Sequence, residues 1–562
     1  MVAQDPGVRR RNTIVTAEFR LPYEEVEPGP MGHRLHVVDY DATTRTFYKP
    51  AVLPPDGEAP RATTKVILGD PGFHAQSVFG LAMWTLARFE FALGRRVEWG
   101  FRAHQLKLVP HAFETANAFY APESEALLFG YFRRGDEVHF TCLSHDIVVH
   151  ETTHALLHGL RERFMAPSSS DQAAFHEGFA DVVALLSVFS TREVVAGLVD
   201  RAATRDAADA TPPAGLIAKR WVTPSRLRDS VLFGLADDMD PEISGARVNA
   251  LRRSVAIEPD PGILDLDEYQ EAHRRGEVFV AAVMRAFIDV WTRRLQALGS
   301  IQGDYLDRQR VAEEGVDAAD QLLTMAIRAL DYTPPIHLSF AEFLSAMLTA
   351  DIEVRDDDSR FELRTTLREW FGRYGIRPAS PLESGAWERC DRQLVREGVR
   401  FGSLQSDPTE MFRLLWGNRK ALKLTPTAYT RVPSVRPCLR IGPEDGLPVR
   451  ETVAECIQYL AMPAAELSSL GVRKPRAMPD DTEVVLEGGS TLILDEYGML
   501  KYEIHNRVPT PDDEDARDDA QRRVDYLWDQ GHYDKGRSLT RRLSNLHRRR
   551  ALDVGIPRSE VW

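Results

Sequence analysis

The sequence predicts an α+β protein: a mixed strand-and-helix lobe, a mostly helical lobe and a mixed C-terminal domain. Three observations predict it. Short strand-like runs and long apolar helical patterns share residues 66–190. Helical periodicity dominates residues 191–378. Pro378 and Pro381 then mark a boundary, and strand-rich sequence returns in residues 379–562. A chain of 562 residues has room for two or three domains.

Taken in order, residues 1–65 read as an extended arm punctuated by Pro and Gly, with some strand content. Residues 76–93 carry Phe79, Leu81, Trp84, Leu86, Phe89 and Phe91 and read as a helix. Strands are expected at 106–109, 117–120 and 127–132. Cys142 reads as a buried strand residue. A buried helix follows, with Ser144 or Asp146 as its cap and Ile147, Val148, Val149, Ala155, Leu156 and Leu157 as apolar content. Residues 166–171, Ala-Pro-Ser-Ser-Ser-Asp, read as a turn. Residues 175–188 read as a second buried helix. Further helices are expected from Val278 to Trp291, at 315–332 and at 338–349. Past the boundary, 484–494 reads as a hairpin around Gly488-Gly489, and 497–504 as a turn and a strand. The basic run 537–550 reads as a solvated face.

The chemistry concentrates on the two buried helices. His150-Glu151-Thr152-Thr153-His154 places two imidazoles four residues apart. On a helix they share one face, roughly a turn apart, and both can reach one zinc ion. Glu151 lies beside the metal without binding it, where it can hold a water and take its proton. A catalytic zinc usually has three protein ligands and one open position. Glu177, 23 residues after His154, can return on the second helix as the third ligand. Asp181 is four residues further on and faces the same way, so it can accept the spare N–H of a ligand histidine. Two carboxylates in so apolar a helix are costly without a partner, and a metal supplies one. His158 continues the row from His154. Three ligands on successive turns of one helix make poor geometry, so His158 reads as packing. His145 and His176 flank the motif as candidates to line the cleft, with His176 reading rather as an incidental neighbour of Glu177.

His150-Glu151-x-x-His154 with Glu177-x-x-x-Asp181 resembles the thermolysin-like gluzincin metallopeptidases. The resemblance implies a thermolysin-like two-lobe fold with Zn2+ between the lobes, held by His150, His154 and Glu177. It makes Glu151 the base and Asp181 the support of a ligand histidine. It also implies that Asn117 and Ala118, on an edge strand, pair with the substrate backbone. His273, ahead of a buried helix, is implied to stabilise the oxyanion. The family's oxyanion tyrosine between the helix motif and the glutamate ligand is missing here; Tyr120, Tyr131 and Tyr269 are the candidate substitutes.

The expected function is therefore that of a zinc metallopeptidase acting on a peptide or protein substrate. Two alternatives remain: a regulatory protein that keeps zinc for structure, and a zinc hydrolase of a non-peptide ester or amide. The net charge of −14 and a pI near 5.7 disfavour nucleic acids and anionic membranes as partners. The four cysteines form no close pair, which argues against a disulfide framework. No apolar leader or membrane-length run is seen, so a cytoplasmic location is expected. Residues 379–562 carry no recognisable chemistry; partner docking is a role open to them.

Overall fold

The computed structural model describes residues 1–4, 6, 9–10, 13–53, 67–134, 137–166, 168–204, 212–234, 254–301, 303–355, 357–441 and 448–533. The basic run 537–550 lies outside the described residues. The N-terminal arm is folded onto the body. Val2 and Ala3 are fully buried, and Ala3 packs with Val188 and Val194.

Helix α1 spans Pro71–Leu93. Asp70 caps it by accepting from Gly72 N at 2.9 Å, and Gly94 ends it in the left-handed region. It packs beside a five-stranded sheet made of β1 (Leu35–Val37), β2 (Leu106–Glu114), β3 (Ala118–Ala121), β4 (Ala126–Arg134) and β5 (Glu137–Phe140). The order is β1-β2-β4-β3, with β5 pairing β4 beyond β3. The β1–β2 and β2–β4 pairs are parallel, and β3 and β5 join β4 antiparallel. Strand β3 is thus an edge strand among the described residues. Cys142 is buried, but it sits in a 3-10 turn, Thr141–Leu143, and not in a strand. The chain needs that turn to leave β5 and enter the next helix.

Helix α2 spans His145–Leu160 with Ser144 at its N-cap position. The Ser144 hydroxyl donates to Asp146 Oδ1 at 2.6 Å and makes no cap hydrogen bond. Thr152 and Thr153 are tolerated inside this buried helix because their hydroxyls donate to Val148 O and Val149 O, at 2.7 and 2.8 Å. Helix α3 spans Ser170–Phe189, capped by Ser169 accepting from Gln172 N. The helical body continues with α4 (Arg192–Thr204), α5 (Pro224–Gly234), α6 (Ala272–Ala297), α7 (Arg308–Ala329), α8 (Phe340–Ile352) and α9 (Leu363–Arg373). Helices α3 and α6 meet backbone to backbone. A β-carbon on Gly276 would stand 3.0 Å from Ala174 O and 3.2 Å from Gly178 N, so a larger residue would make the two helices give by a few tenths of an ångström.

The C-terminal part is helix α10 (Pro408–Gly417), an antiparallel meander of β6 (Tyr429–Ile441), β7 (Pro448–Pro463), β8 (Glu483–Asp495) and β9 (Leu500–Asn506), and helix α11 (Glu514–Asp529). The expected hairpin at Gly488-Gly489 is replaced by one continuous strand. Both glycines pair in register with β7, opposite Gln458 and Ile457. They serve close approach and not a turn: a β-carbon on Gly488 would strike Val508 N, and one on Gly489 would stand 2.7 Å from Pro335 Cγ. The sheet's residues alternate between faces. Val453, Ile493 and Tyr502 join the core of the helical body, while Ala454, Leu492 and Leu500 pack with Leu414 and Leu415 of α10. Among the described residues, no single helix is long and apolar enough to cross a membrane.

Candidate metal centre

Helices α2 and α3 bring His150, Glu151, His154, Glu177 and Asp181 together, all at most 5% exposed. His150 Nε2 is 3.6 Å from Glu177 Oε2, and His154 Nε2 is 3.7 Å from Glu177 Oε1. Two donors on a tetrahedral zinc, each bonded at 2.0–2.1 Å, lie about 3.3 Å apart. Each Glu177 oxygen thus stands within a few tenths of an ångström of that spacing from one imidazole. The potential ligand atoms of His150, Glu151 and His154 lie within 4.8 Å of one another, as do those of His154, His176 and Glu177, so either group could hold a metal ion. The rings of His150 and His154 are perpendicular, with centroids 4.3 Å apart.

Asp181 Oδ1 stands 2.7 Å from His150 Nδ1. The carboxylate holds the proton on Nδ1 and leaves Nε2 turned toward Glu177. Burial pushes the His150 imidazole toward its neutral form, but Asp181, then Glu177 and Glu151, overcome this and raise it to about 10. The three carboxylates thus favour a positive charge at this ring.

His273 comes from α6 in the second lobe. Its Nε2 lies 3.8 Å from Glu177 Oε2, and its side chain is 12% exposed. The sequence places it ahead of the helix. In the structure it lies inside the first turn, because Glu271 is the N-cap and accepts from Arg274 N. Glu271 Oε1 also meets His273 Nδ1 at 2.7 Å. Burial works against the Glu271 charge, but His273 brings its carboxyl down to about 2. Sequence reasoning missed Glu271. Its signal was an acceptor three residues before Arg274, at the spacing of a helix cap.

Strand β3 passes beside the centre. Tyr120 N donates to Glu151 Oε2 at 3.1 Å, which fixes the carboxylate next to the two histidines. Ala118 N donates to the Asn117 side chain at 2.9 Å, and the Asn117 carbonyl accepts from Gly130 N at 2.8 Å. Ala118 thus opens β3 and Asn117 lies just before it, one residue off the expected strand, with their main chain engaged by the chain itself.

The remaining candidates sort by position. His158 turns to Tyr120, with Nδ1 2.8 Å from the hydroxyl. His145 does not line the cleft: it is fully buried against Phe19 and Trp84, and its Nε2 meets Ser187 Oγ at 2.9 Å. His176 stacks on His154 with ring centroids 4.6 Å apart and belongs to the cluster. Of the candidate tyrosines, Tyr120 is committed to His158 and Tyr131 donates to Asp41 Oδ2 at 2.8 Å. Neither hydroxyl can serve an oxyanion as placed. Tyr269 lies in the 3-10 turn Asp267–Gln270 that leads into α6.

No protein-family model matches this chain, and no curated protein matches it.

Proposed function

We propose that the chain is a zinc-dependent metallopeptidase. The observation that carries this reading is the convergence of His150 Nε2 and His154 Nε2 on the two oxygens of Glu177, with Glu151 alongside. Bound by these three residues, zinc would polarise a substrate carbonyl and make a water acidic enough to be a nucleophile. Glu151 takes the water's proton as its oxygen adds to the carbonyl carbon. It then gives that proton to the amide nitrogen as the C–N bond breaks. As the imidazolium, with Glu271 on its Nδ1–H, His273 would donate from Nε2 to the developing oxyanion. Asp181 keeps His150 in the ligating tautomer. Strand β3 offers an edge to an extended peptide once Asn117 releases Ala118 N–H.

The test is an unbiased peptide-library digest, with and without chelator, on wild type and Glu151→Gln, together with metal analysis. Zinc is expected to stay bound in the variant while turnover falls by roughly 10²–10⁴-fold. Unchanged cleavage by Glu151→Gln sinks the assignment.

One observation favours a second reading, a closed structural zinc site in a regulatory protein. His273 Nε2 stands as near Glu177 as the other two imidazoles do, at 3.8 Å. A fourth protein ligand would leave no open position. His273→Ala separates the readings. In a peptidase it lowers kcat and leaves metal affinity intact; in a closed site it weakens metal binding.

A further inference from the structure

A second histidine cluster lies beneath the sheet, in the same lobe as the centre already described. His74 is in the first turn of α1, His111 on β2, and Cys142 in the turn before α2. All three are at most 1% exposed, and their potential ligand atoms lie within 4.8 Å of one another.

The protons at this cluster can be counted. His74 Nε2 is 2.9 Å from Leu68 O. A carbonyl oxygen only accepts, so Nε2 carries the hydrogen. His111 Nδ1 lies 2.8 and 3.0 Å from the two Asp39 oxygens, so it too carries a hydrogen. In neutral rings the other two nitrogens are then lone pairs. They face each other: His74 Nδ1 is 2.7 Å from His111 Nε2. Two lone pairs repel at that distance, so a cation must lie between them. It is either a proton or a metal ion.

We propose that His74, His111 and Cys142 form a structural zinc site separate from the centre at Glu177. A carboxylate and a backbone carbonyl on the outer nitrogens are the arrangement that fixes metal-ligand imidazoles. The thiol of Cys142 adds a third donor that suits zinc and that a shared proton does not need. Zinc-bound nitrogens stand about 3.3 Å apart, so the rings part by roughly half an ångström on loading. The rings of Tyr48 and Phe140, with centroids 4.5 Å from His111 and His74, keep the site dry. Zinc would tie α1, β2 and the Thr141–Leu143 turn together at the entry to α2.

Cobalt replacement in the full chain tests this. Glu177 and its two histidines include no sulfur, so a thiolate-to-cobalt charge-transfer band in the near ultraviolet can come only from a cysteine site. Wild type is expected to bind two Co2+ per chain and to show the band. Cys142→Ser should lose the band and one cobalt, whereas His154→Ala should lose one cobalt and keep the band. Should Cys142→Ser fail to fold, the triple variant Cys390→Ser, Cys438→Ser, Cys456→Ser must keep the band, since Cys142 is then the one cysteine left of four. No band in wild type means a proton alone bridges the rings, and it overturns the proposal. A band that survives Cys142→Ser does the same. Loss of peptide cleavage with the band intact would count against the peptidase reading and leave this one standing.

Discussion

Asp181 decides which nitrogen of His150 faces Glu177. Its oxygen lies 2.7 Å from Nδ1, so the ring presents Nε2 to Glu177. Asparagine keeps the shape but can offer an N–H to Nδ1, which favours the wrong tautomer. Asp181→Asn is expected to weaken zinc binding by roughly 10–100-fold. Competition against a chromophoric chelator measures it, and unchanged affinity would remove Asp181 from the centre. This side of the site was legible in the sequence because its relations are local. His150 and His154, like Glu177 and Asp181, are each one helical turn apart. The groups that were missed act across elements. Tyr120 reaches Glu151 through its main-chain N–H, which leaves no trace in side-chain identity. Glu271 matters only because α6 begins one residue later than it.

Helix α2 shows what the periodicity could and could not tell. Its apolar content placed it, yet the fate of its first residue, His145, depends on α3. Ser187 of α3, its hydroxyl hydrogen given to Ala184 O, accepts from His145 Nε2, and Phe19 and Trp84 close over the ring. Burial brings the imidazole down to about 3, against 6.5 in an unfolded chain. The positive end of a helix opposes its charge further. The folded pKa is the lower one, so the unfolded chain binds the proton more tightly. This stability is present above pH 6.5 and is lost as pH falls from there toward 3. The slope is about 1.4 kcal/mol per pH unit from this residue. Urea unfolding of His145→Gln across that range should show a slope shallower by that amount. Equal slopes would mean the ring is protonated in the fold. Strand β8 fails in the opposite way. Gly-Gly is a strong local turn signal, and only contacts with Val508 and Pro335, far off in sequence, turn it into an extended strand.

At the scale of the molecule, the boundary at Pro378–Pro381 separates sequence textures more than it separates cores. Cys438, Val453, Ile493, Tyr502 and Ile504 of the C-terminal sheet belong to the same apolar core as α2 and α3. Charges cross the same seam. Arg161, at the end of α2, pairs with Glu455 of β7, so the sheet holds the exit of that helix. Asp331, 1% exposed after α7, binds both Arg95 beyond α1 and Arg440 on β6. Its two oxygens each meet an Arg95 nitrogen at 2.6 Å. Burial opposes its charge, yet Arg95 and Arg440 hold its carboxyl well below the usual range. Arg440 continues the network to Glu451, which also meets Lys501 at 2.5 Å. A buried network of this kind adds little beyond an apolar seam of equal volume, but removing one member strands the rest. Asp331→Ala takes the carboxylate from Arg95 and leaves its guanidinium out of water beside Arg440, which keeps Glu451. We expect it to cost about 3–5 kcal/mol in urea unfolding. Wild type should unfold in one transition, because a single core spans the seam. In the variant the sheet should loosen ahead of the helical body, which hydrogen exchange at β6 and β7 would register. If Asp331→Ala unfolds at the wild-type midpoint, the sheet is held by apolar contact alone and the charge network is incidental to it.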